Sequence, residues 1–497
     1  MGLSLLGSGL VLALGNARYI SYTRWAALST ALCCVLLSLL LYQGFDITQA
    51  GLQFQENYLW IRAWNVHYGV GVDGISLPLV ILTTLTTLVV ILATWHSIQQ
   101  QLASYLAALL SIQAFVLGSF VATDAIFFYI CWEAVLIPMM LVIGIWGSQQ
   151  RAYAALKFFM YTFLGSAPLL IALLYLGCSN GFFDFSIRHF YTLKLNLNEQ
   201  IGLFSAFLLA FAVKIPLWPT HTWLPDAHTE APTGGSMILA ALMLKLGGYG
   251  LLRFILPIVP DACRLFAKPL CGLALVAIIY IGLTALAQRD MKRLVAYSSI
   301  AHMGIVVLGI FLLFPILEQF PPKPHVAIMA WQGAMVQMVA HGFSAAALFL
   351  VIGILYQRFH SRVISDYSGL AHCLPLVATF FMLFAMSNVG LPGTAGFIGE
   401  FLVILSAMQA NFWLSVAAAS TLILSAAYTL YLYKRLFWGQ TNHPAVENIM
   451  PVDRFEALSM ALLAGFILLL GIWPAPLLQL MQPTLEALLQ LSLQSKL

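Results

Sequence analysis

Four ionisable side chains interrupt the long apolar runs of this 497-residue chain: Glu133, Lys214, Lys245 and Glu400. A charge in the middle of a bilayer-spanning helix costs ~2.5–3.5 kcal/mol even on insertion scales, so such residues face a bundle interior, a partner or a water-filled path. Two carboxylates and two amines can exchange protons. A Glu–Lys pair that forms and breaks would switch its lysine between holding and releasing one. The four residues therefore read as a series of sites that pass a proton. The alternative for Glu133 is a single fixed interhelix hydrogen bond, which a neutral amide would supply at lower cost. Lys214 could in principle snorkel to an interface; Lys245, in Leu242-Met243-Leu244-Lys245-Leu246-Gly247, has no loop within reach.

Histidines could connect them. An imidazole both donates and accepts, and it titrates near neutrality. His221 stands two turns beyond Lys214, with His228 following, and His302 and His341 lie between Lys245 and Glu400 in the chain. Each is equally readable as a hydrogen-bonded packing residue. A zinc site from His221, His228, Asp226 and Glu230 matches no standard ligand spacing. Asp124, Asp226 and Glu230 are expected near helix ends, where each would cap a helix or guard an entry path, Asp124 also as a coupling point for protons.

The elements that must hold these residues are set by composition. Of all residues 61% are hydrophobic and 8% charged, against ~25% charged in soluble domains. The class is an all-α polytopic membrane protein. A formal net charge of +4, scattered along the chain, gives no footing for nucleic acid. Seven cysteines without a C-x-x-C pair, mostly within apolar runs, read as inert buried thiols, with neither a metal nor an iron–sulfur cluster. The apolar N-terminus, lacking a basic leader, reads as a short first span rather than a signal peptide.

Hydropathy gives about fourteen spans, near 1–16, 25–43, 75–95, 102–122, 124–147, 154–178, 201–220, 233–257, 267–287, 294–315, 326–356, 372–410, 413–436 and 456–480. The stretch 44–74 reads as a loop. Twelve Lys and Arg, from Arg18 to Arg454, fall on odd-numbered loops and seven on even ones, among them Arg253. The positive-inside rule then puts the odd loops in the cytoplasm and both termini outside.

Two spans carry irregular backbone. Val213-Lys214-Ile215-Pro216-Leu217-Trp218-Pro219 must kink, because each proline removes a donor and crowds the preceding turn. Gly390-Leu391-Pro392-Gly393-Thr394-Ala395-Gly396 makes a second weak point. Broken backbone at membrane depth is tolerated only where protein or a cavity surrounds it. The breaks are five spans apart, and five is odd, so a repeated five-helix unit would be inverted between its copies. That is the pattern of transporters with discontinuous helices. The implied division is 1–101 for helices 1–3 and an outer loop, 102–257 and 258–436 for the two repeats, and 437–497 for helix 14.

The segment from Lys214 through His221, Asp226, His228 and Glu230 to Ser236 resembles the signature of the antiporter-like subunits of respiratory complex I. Leu244-Lys245-Leu-Gly-Gly-Tyr-Gly-Leu-Leu-Arg253, Ala125 through Glu133, Ala296 through His302 and Ala340-His341-Gly342 extend the likeness over nearly everything after residue 70. The resemblance implies two inverted five-helix repeats, broken helices seven and twelve, and proton translocation driven by quinone reduction elsewhere. Glutamate at position 400 is similar to the M type of these subunits (mitochondrial chain 4), where L and N types and the cation/proton antiporter subunits usually carry lysine. The absence of an L-type lateral helix after residue 480 points the same way; the short first helix is a departure.

Position by position, the resemblance pairs Glu133 with Lys214, makes Lys245 the central relay and His302 and His341 its bridge, and places the outer exit at Glu400. It implies FMN, iron–sulfur clusters and quinone in partner subunits and none here. It also implies L- and N-type chains on either side, and a bacterial inner membrane with periplasmic termini. The rival readings are a subunit of a Na⁺(K⁺)/H⁺ antiporter and a non-pumping scaffold of the membrane arm.

Overall fold

A computed structural model describes residues 1–15, 20–179, 181, 183–440 and 450–497. Arg18, counted above on the first loop, lies outside the described residues. In chain order the elements are α1 (Gly2–Ala13), α2 (Ile20–Gln43), β1 (Gln53–Ile61), β2 (Val66–Val72), α3 (Ser76–Ala93), α4 (Leu102–Val121) and α5 (Ala125–Trp146). There follow α6 (Arg151–Gly177), α7 (Leu197–Lys214), α8 (Trp223–Glu230), α9 (Thr233–Ile258), α10 (Pro260–Leu286) and α11 (Met291–Leu317). The rest are α12 (Pro324–Phe359), α13 (Pro375–Val389), α14 (Ala395–Ala410), α15 (Phe412–Phe437), α16 (Arg454–Ile472) and α17 (Ala475–Leu493). Among the described residues twelve helices are long and apolar enough to cross a bilayer. With the short α1, and with α13 and α14 as two halves of one crossing, the fourteen expected spans are present.

Both expected breaks exist. α7 ends at Lys214, and the carbonyls left open by Pro216 and Pro219 find new donors. Ala212 O accepts from Leu217 N (2.8 Å) and Thr220 Oγ1 (2.9 Å), and Val213 O accepts from Trp223 Nε1 (2.9 Å). The second break begins at Gly390, whose φ of +81° is the left-handed conformation that glycine adopts at no steric cost.

At the centre stands α12, a helix of 36 residues whose apolar stretch is buried throughout. At 1.5 Å per residue it is ~54 Å long, well beyond a ~30 Å hydrocarbon core. α9 lies against it and is almost as deeply buried. α9 is not a regular α-helix. Leu239–Met243 and Leu251–Ile255 are π-helical turns on either side of Lys245, a distortion common at functional sites. Neither turn contains a glycine or proline of its own, so pattern reading missed them. Gly247 lets α9 touch the first break: a Cβ there would stand 2.7 Å from Ile215 N and 2.8 Å from Phe211 O.

Several expectations are corrected. The 44–74 stretch is not all loop, because β1 and β2 pair antiparallel as a hairpin, turning through Asn65 at φ +51°. The last span does not run from 456 to 480. α16 stops at Ile472 before Trp473-Pro474, and α17 continues as a separate helix of 19 residues, so chain after residue 480 does form helix. α17 packs back on the start of α3, where Thr484 Oγ1 accepts from Gly74 N at 3.1 Å. Lys292 and Arg253, counted on loops, are held inside α11 and α9. Cys33 and Cys178 are exposed rather than buried.

Overpacking a tight contact costs ~1–3 kcal/mol. Gly247→Val should lower the thermal stability of the detergent-solubilised protein by that order, whereas Gly272→Ala, where a Cβ meets nothing within 4 Å, should leave it unchanged.

Candidate site: a buried lysine–histidine–glutamate series

Lys245 is wholly buried, and its Nζ donates to the carbonyl of Ala240, inside the first π turn, at 2.5 Å. The same Nζ lies 2.9 Å from Nδ1 of His341 on α12. The His341 ring sits 5.7 Å from that of His302 on α11. His302 Nδ1 in turn stands 2.7 Å from Glu400 Oε1 on α14. Four helices thus bring Lys245, His341, His302 and Glu400 into one row, all at most 4% exposed.

Two neighbours complete the row, and the sequence reading overlooked both. Gln337, one turn before His341 on α12, donates its amide to Glu400 Oε1 at 3.0 Å. The hydroxyl of Tyr428 lies 3.4 Å from His302 Nε2. The spacing of Gln337 and His341, four apart, was the available signal. Glu400 Oε2 and His341 Nε2 are buried without a hydrogen-bond partner. Gly399 allows this packing: a Cβ on it would lie 2.6 Å from Gln337 N.

Glu133 and Lys214 form a separate station. Glu133 accepts from the Ser166 hydroxyl on α6 and is only half-buried. Lys214 Nζ lies over the Trp132 ring, 4.7 Å from its centroid, and has no hydrogen-bond partner. The two make no direct hydrogen bond: Glu133 is engaged by Ser166 and Lys214 by the Trp132 ring. The carbonyls of Ala212 and Val213, beside Lys214 in the chain, accept from Leu217, Thr220 and Trp223. A face-on aromatic ring compensates a desolvated ammonium by ~2 kcal/mol.

His228 is fully buried with neither ring nitrogen bonded, stacked on Phe349 at 4.6 Å. His221 Nδ1 is also unpartnered, and its ring meets Tyr297 edge-on at 6.4 Å. No direct bond joins either histidine to the row. Asp124 is apart from it. Its carboxylate caps α5, accepting from Ile126 N (2.9 Å) and Phe127 N (3.0 Å), and receives His67 N (3.0 Å) from the hairpin. Asp226 is held by Lys157 (2.6 Å) and Arg293 (3.1 Å), and Glu230 by Ser148 (2.7 Å) and Arg362 (3.3 Å). Among the described residues no group of three His, Cys, Asp or Glu side chains could hold a metal ion.

A family model described as NADH:quinone oxidoreductase/Mrp antiporter, transmembrane, matches residues 122–425, from the second strand's neighbour α5 to α15. The chain belongs to this family. "NADH-quinone oxidoreductase subunit M" of Rhodobacter capsulatus is 44% identical over 480 residues, 94% of this chain and 90% of that protein. "NADH-ubiquinone oxidoreductase chain 4" of Chondrus crispus is 43% identical over 88% of this chain and 86% of its own length. A chain of respiratory complex I from Thermus thermophilus superposes with a TM-score of 0.88 at 29% identity, covering 98% of each chain. The Mrp complex of a Dietzia species shares the fold, with a TM-score of 0.83 at 20% identity, covering 99% of this chain and 98% of that one. Members of this oxidoreductase/antiporter family are thus parts of multisubunit membrane assemblies, and the present one is a multi-pass membrane protein.

Asp124 caps α5 and ties it to the hairpin. Asp124→Ala should cost ~0.5–2 kcal/mol of stability and Asp124→Asn, also a good cap, far less. Thermal denaturation of the purified membrane protein would show the difference, and equal losses would contradict a capping role.

Proposed function

We propose that this chain is the M-type, proton-translocating membrane subunit of an NADH:quinone oxidoreductase and that protons move through Lys245, His341, His302 and Glu400. The observation that carries the relay is the row itself: two close polar contacts, Lys245–His341 and His302–Glu400, separated by two facing imidazoles. Family membership and the names of the relatives support the assignment of the subunit.

A proton arriving from the cytoplasmic side is held on Lys245, whose ammonium donates to His341 Nδ1. The free Nε2 of His341 can pass a proton toward His302 once the ring turns. His302 delivers to Glu400 Oε1, and the unpartnered Oε2 of Glu400 is the atom from which release can proceed outward. The movement is uphill by ~2.3 kcal/mol per 100 mV. His228, with neither ring nitrogen bonded, and His221, with its Nδ1 unpartnered, line the approach at the first break and beside it. Glu133, the least buried of the four acids and lysines, is placed to sense a lysine in a neighbouring subunit, which would bias Lys214 and gate the step.

The remaining parts belong to other chains. FMN, iron–sulfur clusters and quinone sit in partner subunits, with L- and N-type chains on either side in a bacterial inner membrane. Both termini face outward. The two breaks, at 215–222 and 390–394, support two inverted five-helix units over 102–257 and 258–436. The cation/proton antiporter reading has the shared fold in its favour; a pH gradient in vesicles without NADH that depends on added Na⁺ or K⁺ would select it.

Lys245→Ala and Glu400→Ala in the assembled complex should each cut NADH-driven proton pumping severalfold while assembly, read on native gels, survives. Glu400→Lys, which restores a titratable group, should be milder. Normal pumping in both alanine variants would sink the relay.

A further inference from the structure

α9 carries Lys245, Tyr249 and Arg253 at four-residue spacing, so all three lie on one face, each ~6 Å further along the axis. Beyond Lys245 this face leads away from Glu400, toward the hairpin and α17. The Tyr249 hydroxyl accepts from Arg253 Nε at 3.1 Å and donates to the carbonyl of Phe120 at 3.0 Å, so its one proton is committed. Arg253 Nη2 is bonded to Asp73 Oδ2, and the pair is 12% and 3% exposed. Asp73 is fixed in turn, accepting from Ile75 N (3.1 Å) and Ser76 N (3.0 Å) at the start of α3. Tyr191 donates its hydroxyl to the Arg253 carbonyl at 2.9 Å.

Behind this pair is a cavity of about 270 Å³, lined by Asp73, Tyr249 and Arg253 and roofed by Thr484 and Leu488 of α17. Its rim residues Gly51 and Arg188 are exposed. One wall of this cavity is Tyr249, one helical turn along α9 from the central lysine, and the Arg253–Asp73 pair lies beside it.

We propose that Arg253, locked to Asp73, is a barrier that keeps protons in the outer cavity from returning to Lys245. The proposal rests on the reading of Lys245 as a proton-carrying residue. Two properties of a guanidinium make the barrier. It stays protonated at every physiological pH, so even with its charge balanced by Asp73 it never becomes a vacant proton site. It also has five N–H donors and no acceptor, so no proton can hop onto it. The Tyr249 hydroxyl accepts from Arg253 and has its only proton committed to the Phe120 carbonyl. With this face shut, release from Lys245 is directed along His341 and His302 to Glu400.

The test uses the intact complex in sealed vesicles. Arg253→Gln alone would strand a buried carboxylate, so the informative variant is Asp73→Asn with Arg253→Gln, a neutral pair of similar shape. An imposed pH gradient should decay severalfold faster than with the wild type, and the NADH-driven gradient should shrink while electron transfer continues. A neutral pair as tight as the wild type overturns the proposal. So does loss of pumping together with electron transfer and no leak, which would make the cavity an exit. Normal pumping in Lys245→Ala would instead remove the relay on which the barrier depends.

Discussion

The contact between Lys245 Nζ and His341 Nδ1 is the constraint around which the rest is arranged. A long amine and an imidazole meet where neither can reach water, so the surrounding backbone must supply whatever else they need. α9 does so by departing from regular geometry: its first π turn presents the Ala240 carbonyl to the ammonium. α12 does so by being long, straight through the core and lined with small residues, Ala345, Ala346 and Ala347 among them, that let its neighbours close in. Removing either partner would leave a buried polar group unmatched, at a cost of ~1–3 kcal/mol or more.

The two breaks solve a different problem. A proline or a left-handed glycine in a spanning helix opens carbonyls that hydrocarbon cannot satisfy. At the first break the side chains of Thr220 and Trp223 take them, which leaves Lys214 to an aromatic face instead. At the second, Gly390 ends α13 and frees α14 to start anew with Glu400 in its second turn. The charged residues are thus near the breaks for a reason of geometry. A half-helix can be aimed independently of its other half.

Much of this was legible in the residues. The buried charges, the prolines of Pro216 and Pro219 and the glycines around Pro392 are strong local signals, and they located the spans, the breaks and the members of the row. What stayed hidden has physical causes. The π turns flanking Lys245 contain no glycine or proline, so within them the sequence reads as an ordinary apolar helix. Arg253 and Lys292 looked like loop charges because each stands near a helix end, and only the partner in another element, Asp73 or the Ala231 carbonyl, shows that it is buried. The hairpin was masked because its strand β1 is exposed along nearly its whole length, without the alternation a half-buried strand shows. Gln337 drew no notice because an amide in an apolar helix carries no charge to explain.

The close approach at Gly399 has a mechanical meaning. With no side chain there, the backbone of α14 rests directly on that of α12 at Gln337, and Glu400 and its amide donor sit on the two sides of that contact. The half-helix beyond the break is therefore braced against the central rod rather than free to swing, and tilting it would drag Gln337, or else force two backbones through one another. The linkage between carboxylate and amide behaves as a rivet. Any switching in this part of the molecule has to be carried by light parts, the rotation of an imidazole or of a carboxyl group, which move in nanoseconds to microseconds and need no helix to travel.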